Sequence, residues 1–423
     1  MAATSEGAGR SDTGRKRTQN EDSFYVDDGL GLYVVSDGMG GHAAGEVASA
    51  TAIKAVREVV EDARAAIEKV RRGELEGEAL SRLAGQAVLT ANQRVHELAT
   101  SDRGKAGMGC TVTLVLVAGE VAALGQVGDS RLYLRRAGRI DQLSTDHTIL
   151  GELVRSGVME PDEATDDHPM AHILSRAVGT QPHVEVETLL FEVVGGDQLL
   201  LCSDGLSDYL KTTEALEEAL AGEAPLSKAA VGAATEKLVA YANEAGGHDN
   251  ITVVAVQIAV DEAASTRASL LSQRYDALSS VFLFQGLDMS RASRVMEACS
   301  LLEHRAGDRV VEEKALINDL YVVVDGRYLL ERDGEEVGEL TPGEFVGMTT
   351  LLHGRSALAS VVAEGAGRML RLTGEDLRQL VRRRPFLGIG ILDRLGRRLS
   401  ADLEKTYGQR AGDGAAVSAS ERF

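Results

Sequence analysis

The chain has 423 residues, which predicts two or three domains of roughly 150 residues each. It carries 65 Asp and Glu against 45 Lys and Arg, with 7 Phe, 9 Tyr and no Trp, and this acidic composition argues against nucleic acid as a partner. No apolar run approaches the roughly 18 residues of a membrane span, and the three cysteines lack zinc-ligand spacing. Because the start of the chain has no apolar leader, we expect a cytoplasmic protein with reduced thiols.

The pattern over residues 1–260 predicts an α+β fold in which strands and helices are grouped. Strand-like runs at 32–36 and 198–203 each lead into an Asp-Gly turn, at Asp37 and Asp204. The other predicted elements are helices at 45–71, 78–98, 213–221 and 227–243, an antiparallel meander at 111–117, 121–127 and 131–135, and a closing strand at 251–260.

The pattern changes after residue 260. A polar stretch rich in Ala and Ser is followed, from Gly307 to Leu372, by short strands that alternate with glycine turns, and this predicts a small β-roll closed by helices. We therefore predict a first domain at 1–260, a linker at 261–277, a second domain at 278–403 and a disordered tail at 404–423.

Acidic residues of the first domain stand at strand ends and in tight turns. Any one Asp-Gly pair taken alone is most simply a turn. Carboxylates that converge would repel one another unless a divalent cation neutralised them, and oxygen ligands with few His and no paired Cys suit Mg²⁺ or Mn²⁺. The candidates are Glu21, Asp22, Asp37, Asp129, Asp204, Asp208 and Asp249.

Five segments carry these acids in a recognisable order. They resemble the motifs of the metal-dependent serine/threonine protein phosphatases of the PPM family, type 2C, in their bacterial form. The resemblance runs from about residue 11 to residue 260 and implies two stacked antiparallel β-sheets flanked by helices, with a dinuclear metal site at one edge. The segments are RTQNED (17–22), SDGMGGH (36–42), VGDSR (127–131), SDGLSD (203–208) and HDNIT (248–252).

The resemblance assigns a role to each residue of the metal centre. Asp37 would bridge two Mn²⁺ or Mg²⁺ ions, and the carbonyl of Gly38 would bind one of them. Asp204 and Asp249 would complete the shell of the other ion. Asp129 would hold a third, weaker ion together with Asp204.

Four further residues would support this centre. Glu21 would hold metal-bound water, with Asp22 and Asn250 behind the ligands. Arg17 would bind the substrate phosphate, for which a planar guanidinium is suited.

The implied reaction is hydrolysis of phosphoserine or phosphothreonine in proteins by a metal-activated water, without a phosphoenzyme. Animal members have a His directly after the Asp-Gly, where this chain has Met39, so the general acid is unassigned between His42 and a metal-bound water. The implied partners are phosphorylated proteins, opposite a serine/threonine kinase. The other hypothesis is a non-catalytic scaffold, and the full set of carboxylates favours the enzyme.

Residues 143–179 resemble the flap of bacterial members, which borders the active site. Between Asp141 and Met170 there are eight Asp and Glu against Arg155 alone. This segment is either a determinant that favours basic phosphopeptides or a solvated acidic loop.

The second domain resembles the cyclic nucleotide-binding β-roll. That family places a Glu after the glycine of its phosphate cassette, and this chain has Met348 after Gly347. The family's phosphate-binding Arg aligns with Ala357, whereas Arg355, next to Ser356, lies two positions earlier. Either the loop is shortened around Arg355 or this effector site is degenerate, in which case we expect a dimer contact, a docking domain or a receptor for another ligand.

Overall fold

The computed structural model describes residues 5–40, 44–156, 158–159, 168, 170–210, 212–221, 227–259, 264–351 and 354–412. The chain divides into two compact units. One comprises Met1–Leu270 with Asp288–Ser293, and the other comprises Leu271–Leu287 with Arg294–Phe423. The domain limits inferred from the sequence stay predictions.

The first unit is built on two five-stranded antiparallel sheets. Its described strands are β1 Ser5–Asp12, β2 Ser23–Asp27, β3 Leu32–Ser36, β4 Gly38–Met39, β5 Gly109–Cys110, β6 Val112–Ala118, β7 Val121–Val127, β8 Arg131–Arg136, β9 Arg139–Gln142, β10 Glu187–Glu192, β11 Gln198–Cys202 and β12 Ile251–Ile258. One sheet has the order β1-β12-β11-β8-β9 and the other the order β10-β7-β6-β3-β2, while β4 and β5 form a separate short ribbon. The three strands predicted at 111–117, 121–127 and 131–135 form, but the predicted meander is wrong in one respect. β6 pairs with β7, whereas β8 lies in the other sheet, where it pairs with β9 and β11.

Side-chain alternation explains how the sheets are covered. Along β6, Leu114 and Leu116 face one apolar cluster, and Val115 and Val117 face another, as the two-residue period of a strand requires. The first cluster includes buried residues of the long helices, and the second lies between the two sheets. The described helices are α1 Ala44–Asp62, α2 Arg64–Arg71, α3 Glu78–Ser101, α4 Ile149–Arg155, α5 Asp204–Ser207, α6 Glu214–Ala219 and α7 Lys228–Ala245.

The predicted single helix over 45–71 is wrong in one respect. It is broken at Ala63, whose backbone leaves the helical conformation at φ −91° and ψ 7°. After the break, α2 buries Ile67 and Val70 in the apolar cluster that also contains buried residues of α1 and α3. Tertiary packing thus overrides a helical pattern that continues through the break.

The second unit contains a β-roll of two four-stranded antiparallel sheets and a two-stranded ribbon. Its apolar interior includes Val323, Tyr328 and Met369, all fully buried. The strands are β13 Ser300–His304, β14 Arg309–Val311, β15 Leu316–Ile317, β16 Asp319–Asp325, β17 Tyr328–Arg332, β18 Glu335–Leu340, β19 Phe345–Val346, β20 Arg355–Ser356, β21 Ser360–Ala363 and β22 Gly367–Thr373.

The remaining helices differ from the predicted linker and tail. They are α8 Ala264–Ser280, α9 Met289–Glu297, α10 Met348–Leu351, α11 Gly374–Arg383 and α12 Pro385–Gly412. Most of the stretch predicted as a linker is therefore helical, because Leu271 and Leu278 recur at helical spacing and are buried. The tail predicted from residue 404 begins inside α12, and residues 413–423 lie outside the described part of the chain.

None of the described helices combines the length and the apolar character that crossing a membrane requires.

The packing between the sheets predicts a large loss of stability on truncation there. Leu201→Ala removes a fully buried side chain of the inter-sheet cluster and should lower the free energy of unfolding by about 2–5 kcal/mol. Leu89→Ala, at a side chain that is 39% exposed, is the matched control and should change it by about 0.5 kcal/mol or less. Urea unfolding of both variants measures the difference, and equal losses would contradict the assigned core.

Candidate active site

Four strands of the first unit place an acid at the same edge of the sandwich. Asp37 directly follows β3, Asp204 lies two residues after the end of β11, and Asp249 lies two residues before β12. Asp129 lies in the turn after β7. Asp37 and Asp204 lie close enough for each to shift the pKa of the other, so the ends of the two sheets meet at this point.

Glycines allow the chain segments to approach this closely. A Cβ atom on Gly38 would overlap the backbone carbonyl oxygens of Gly45 and Glu21, and one on Gly205 would overlap the carbonyl oxygen of Asn250. A Cβ atom on Gly45 would overlap the Glu21 carboxylate. The glycines of both Asp-Gly turns are therefore required by packing as well as by turn geometry.

Asp22 lies buried beneath the cluster. Its Oδ2 accepts a hydrogen bond from the Ser203 hydroxyl at 2.8 Å, and that hydroxyl oxygen accepts from the Thr252 amide at 3.0 Å. Burial raises the pKa of Asp22 to about 7, and the charge of Asp204 adds to the effect. Among the described residues, Oδ1 of Asp22 has no hydrogen-bond partner.

The three acids at the centre resist ionisation together. Burial raises the pKa of Asp37 well above its ordinary value, with the charges of Asp22 and Asp204 next in importance. Burial, followed by the charges of Asp204 and Asp146, raises the pKa of Asp129 to about 8. The pKa of Asp204 is also raised, chiefly by burial, and its buried Oδ1 has no partner within the described part of the chain.

Arg17 lies at the rim of the cluster. Its Nη2 is 2.6 Å from Oδ2 of Asp249, and 54% of its side chain is exposed. Burial opposes its charge, but attraction to Asp249, Asp37 and Glu21 outweighs burial and raises the pKa of Arg17. Arg17 therefore offers a cation to solvent at the mouth of an acidic pocket.

Asn250 joins the N-terminal loop to β12. Its Oδ1 accepts a hydrogen bond from the Glu21 amide at 2.8 Å, and its Nδ2 donates to the carbonyls of Thr13 and Gln19 at 3.0 and 2.9 Å. This fixes Glu21 beside the acids, where partial burial raises its pKa, opposed by Arg17 and reinforced by Asp249.

The donor set suits hard divalent cations. All its side-chain donors are carboxylate oxygens, and two buried oxygen atoms lack partners. Within the described residues, no three His, Cys, Asp or Glu side chains already surround a common point as metal ligands would. A cation would replace the protons that the raised pKa values favour and would remove the mutual repulsion, so the residues fit such an ion.

The residues predicted for the first domain lie together at this edge. The residues predicted for the second domain lie on short elements of its roll. Met348 begins α10, and Arg355 and Ser356 are exposed on β20, where they pair with Ile317 and Leu316. His42 and residues 160–167 of the flap lie outside the described residues.

Some residues of the site were missed in the sequence. The Thr111 hydroxyl accepts a hydrogen bond from the Asp37 amide at 2.9 Å, and the charge of Glu46 contributes to the raised pKa of Glu21. His172 Nδ1 lies 3.7 Å from Oδ2 of Asp208. Ser203 could have been found, since it directly precedes Asp204, but Thr111 and Glu46 carry no local signal because they meet the site only through the fold.

Comparison with family models gives two matches. The family described as Protein phosphatase 2C matches residues 9–241, which is more than half of the chain. The family described as Cyclic nucleotide-binding domain matches residues 301–384.

Curated relatives match the first part of the chain. A serine/threonine phosphatase, stp, of Listeria monocytogenes is 35% identical over 251 residues, which is 59% of this chain and 94% of that protein. The serine/threonine protein phosphatase PstP of Mycobacterium tuberculosis is 38% identical over 251 residues, which is 59% of this chain and 44% of that protein.

Solved structures agree with these relatives. The crystal structure of the Mycobacterium tuberculosis phosphatase PstP/Ppp has a TM-score of 0.53 and 36% identity, and it covers 60% of this chain and 99% of that one. The catalytic domain of PstP in complex with two manganese ions has a TM-score of 0.51 and 35% identity, and it covers 61% of this chain and 100% of that one.

The raised pKa values predict how stability depends on pH without cations. Asp22 and Asp129, with pKa values of about 7 and about 8, hold protons more tightly in the folded chain than in the unfolded chain. Stability should be greatest below about pH 4 for these groups and fall through pH 7 to 8, by at most about 1.4 kcal/mol per pH unit for each. We expect the melting temperature of the chelator-treated protein to fall between pH 6 and 8.5, and less so in Asp22→Asn. A rising melting temperature would contradict the assignment.

Proposed function

The chain belongs to the protein phosphatase 2C family and is a serine/threonine phosphatase, and we propose that the acid cluster of its first unit is the centre at which it hydrolyses phosphoserine and phosphothreonine in proteins. The observation that carries this proposal is the convergence of buried carboxylates whose pKa values are raised by burial and by one another. A protein that only binds partners has no need of such a costly arrangement.

Asp37, Asp204 and Asp249, with the carbonyl of Gly38, would hold two Mn²⁺ or Mg²⁺ ions. Asp129 would hold a third, weaker ion with Asp204. The unpartnered Oδ1 of Asp204 and the manganese ions of the PstP structure support this assignment. When bound, such cations activate water and offset the negative charge on phosphoryl oxygens.

The chain's own groups orient the substrate and the ligands. Arg17 is exposed at the mouth of the pocket, and its planar guanidinium can bind two oxygens of a phosphate. Asp249 holds Arg17 from one side and leaves the rest of the guanidinium open to solvent. Ser203 fixes Asp22, and Asn250 fixes Glu21, so the carboxylates behind the ligands do not need to reorganise during the reaction.

Phosphorylated proteins are the substrates, and we propose that a serine/threonine kinase supplies them. The acidic residues at 141–167 would favour basic segments around the phosphorylated residue. We also place the protein in the cytoplasm, since its three cysteines are free.

We propose that the effector site of the cyclic nucleotide-binding domain is degenerate. The interior of the roll is occupied by Tyr328, Val323 and Met369, each fully buried. Arg355 is exposed on its short ribbon, and Met348 cannot accept a hydrogen bond from a ribose hydroxyl as a carboxylate does. A domain of this kind is better suited to contact another protein chain.

A contact between two copies of the second unit is the interaction that we favour. Phe386, Ile389 and Leu392 recur every three residues along α12 and are 42%, 59% and 55% exposed. Their side chains form an apolar stripe, which a second α12 helix could cover.

The cation requirement predicts a sharp loss of activity on neutralising one ligand. Asp37→Asn or Asp204→Asn should lower the turnover of a phosphothreonine peptide by at least about 10²-fold, because each removes a charge that the reaction depends on. Asp62→Asn, at an exposed acid of α1, is the matched control and should be unaffected. Hydrolysis should require added Mn²⁺ or Mg²⁺ and stop with a chelator, whereas full activity in metal-free buffer would refute the proposal.

The lack of a carboxylate at Met348 and the exposed position of Arg355 predict that the full chain does not bind cyclic AMP or cyclic GMP at micromolar concentration. Leaving the ribose hydroxyl without its partner costs about 1–3 kcal/mol, and leaving the phosphate unpaired costs more. Titration calorimetry with both nucleotides measures this. A micromolar isotherm that disappears in Arg355→Ala would show that the effector site is intact.

A further inference from the structure

We propose that His147 is a positioning residue that couples the turn carrying Asp129 to both ends of the flap, residues 143–179. His147 is 0% exposed and directly precedes Thr148, the residue that caps α4 within the flap. Its backbone N–H donates to the Gly128 carbonyl at 3.1 Å, and its carbonyl accepts from the Ser175 amide at 2.8 Å. The backbone of His147 alone therefore joins the two ends of the flap to the Asp129 turn.

The imidazole completes this arrangement. Nδ1 of His147 lies 3.1 Å from the Gly128 amide nitrogen, and Nε2 lies 3.2 Å from Oε2 of Glu187. Because the Gly128 N–H can only donate, Nδ1 is the unprotonated nitrogen, and Nε2 carries the hydrogen that is donated to Glu187. Both backbone polar groups of Gly128 are thus bound by one residue.

The hydrogen bonds from His147 fix the backbone most strongly at Gly128. Its φ of +107° is a conformation that few other residues adopt, and a Cβ atom there would overlap the side chain of Thr111. Thr111 in turn accepts the amide hydrogen of Asp37. The position of Asp129, one residue after Gly128, is therefore set between His147 on one side and Thr111, which binds the Asp37 amide, on the other.

Further hydrogen bonds join residues 145 and 146, near the start of the flap, to residues on either side of the same turn. The Gln126 side chain donates to the carbonyl of Thr145 at 3.0 Å and accepts from its amide at 3.2 Å. Arg131, two residues after Asp129, forms a forked ion pair with Asp146, with its Nη2 2.6 Å and its Nε 2.9 Å from Oδ2. Residues 145–147 are thus bonded on both sides of Asp129, so that a displacement of the flap is transmitted to this carboxylate.

The functional consequence rests on the proposed role of Asp129 as a ligand of the weaker cation. A protein substrate that displaces the flap would change the affinity for that cation, and occupancy of the cation site would in turn favour one flap position. His147 makes this coupling specific because its ring reaches both the turn and Glu187.

Two substitutions of His147 separate positioning from simple loss of packing. In His147→Asn the amide oxygen can replace Nδ1 as acceptor for the Gly128 N–H. In His147→Gln the longer amide can reach Glu187, but the Gly128 N–H is left without an acceptor. We expect the Mn²⁺ affinity of the weakest site to fall about 10-fold in the Gln variant and to stay within about twofold in the Asn variant. The measurement is Mn²⁺ titration of the full chain followed by electron paramagnetic resonance, with thermal unfolding of each variant alongside.

Asp129→Asn separates the proposed cation role of Asp129 from the proposed positioning role of His147. If this variant leaves all Mn²⁺ binding unchanged, the proposed cation role of Asp129 fails. If it removes the weak site while His147→Gln leaves that site as strong as His147→Asn does, the inference about His147 fails.

A measurement on the unsubstituted chain keeps the inference testable if the variants do not fold. Nitrogen-15 spectra of the histidine rings should show His147 as the neutral form protonated at Nε2. A ring protonated at Nδ1 could not accept the Gly128 N–H, and this result would overturn the inference.

Discussion

The repulsion between buried carboxylates is the constraint on which the rest of the first unit depends. Asp37 and Asp204 follow strands of different sheets and are held close enough for each to shift the pKa of the other, with Asp22 and Asp129 adding charge. Such a group is unfavourable as four anions, because burial removes the water that would screen them. It persists because the acids can hold protons and, in our proposal, exchange them for divalent cations.

The surrounding fold keeps the acids in place against this repulsion. The two glycines after Asp37 and Asp204 let backbone segments touch where any side chain would not fit. Buried hydroxyls of Ser203 and Thr111 fix the neighbouring carboxylate and amide. The apolar clusters on both faces of the sheets supply the stability that this polar edge lacks.

The sequence allowed the acids to be predicted because each stands next to a local signal, either one end of a strand or a tight turn. It also predicted the grouped strands and the β-roll, since two-residue alternation and glycine turns are local patterns. The helix in place of the linker could also have been predicted, since Leu271 and Leu278 recur at helical spacing. The break of the first helix at Ala63 and the network around His147 were not predictable in this way. Each depends on contacts between residues far apart in the chain, which a local pattern does not record.

The most direct test of the account is the number of protons released when the full chain binds Mn²⁺ at pH 7. Calorimetry in buffers of different ionisation enthalpy measures this number. Because burial and mutual repulsion raise the pKa values of Asp22, Asp37 and Asp129, we expect binding to release at least about one proton per chain, and we expect Asp204→Asn to lower both the affinity and the release. Tight Mn²⁺ binding without proton release would contradict the claim that cations replace protons in this cluster.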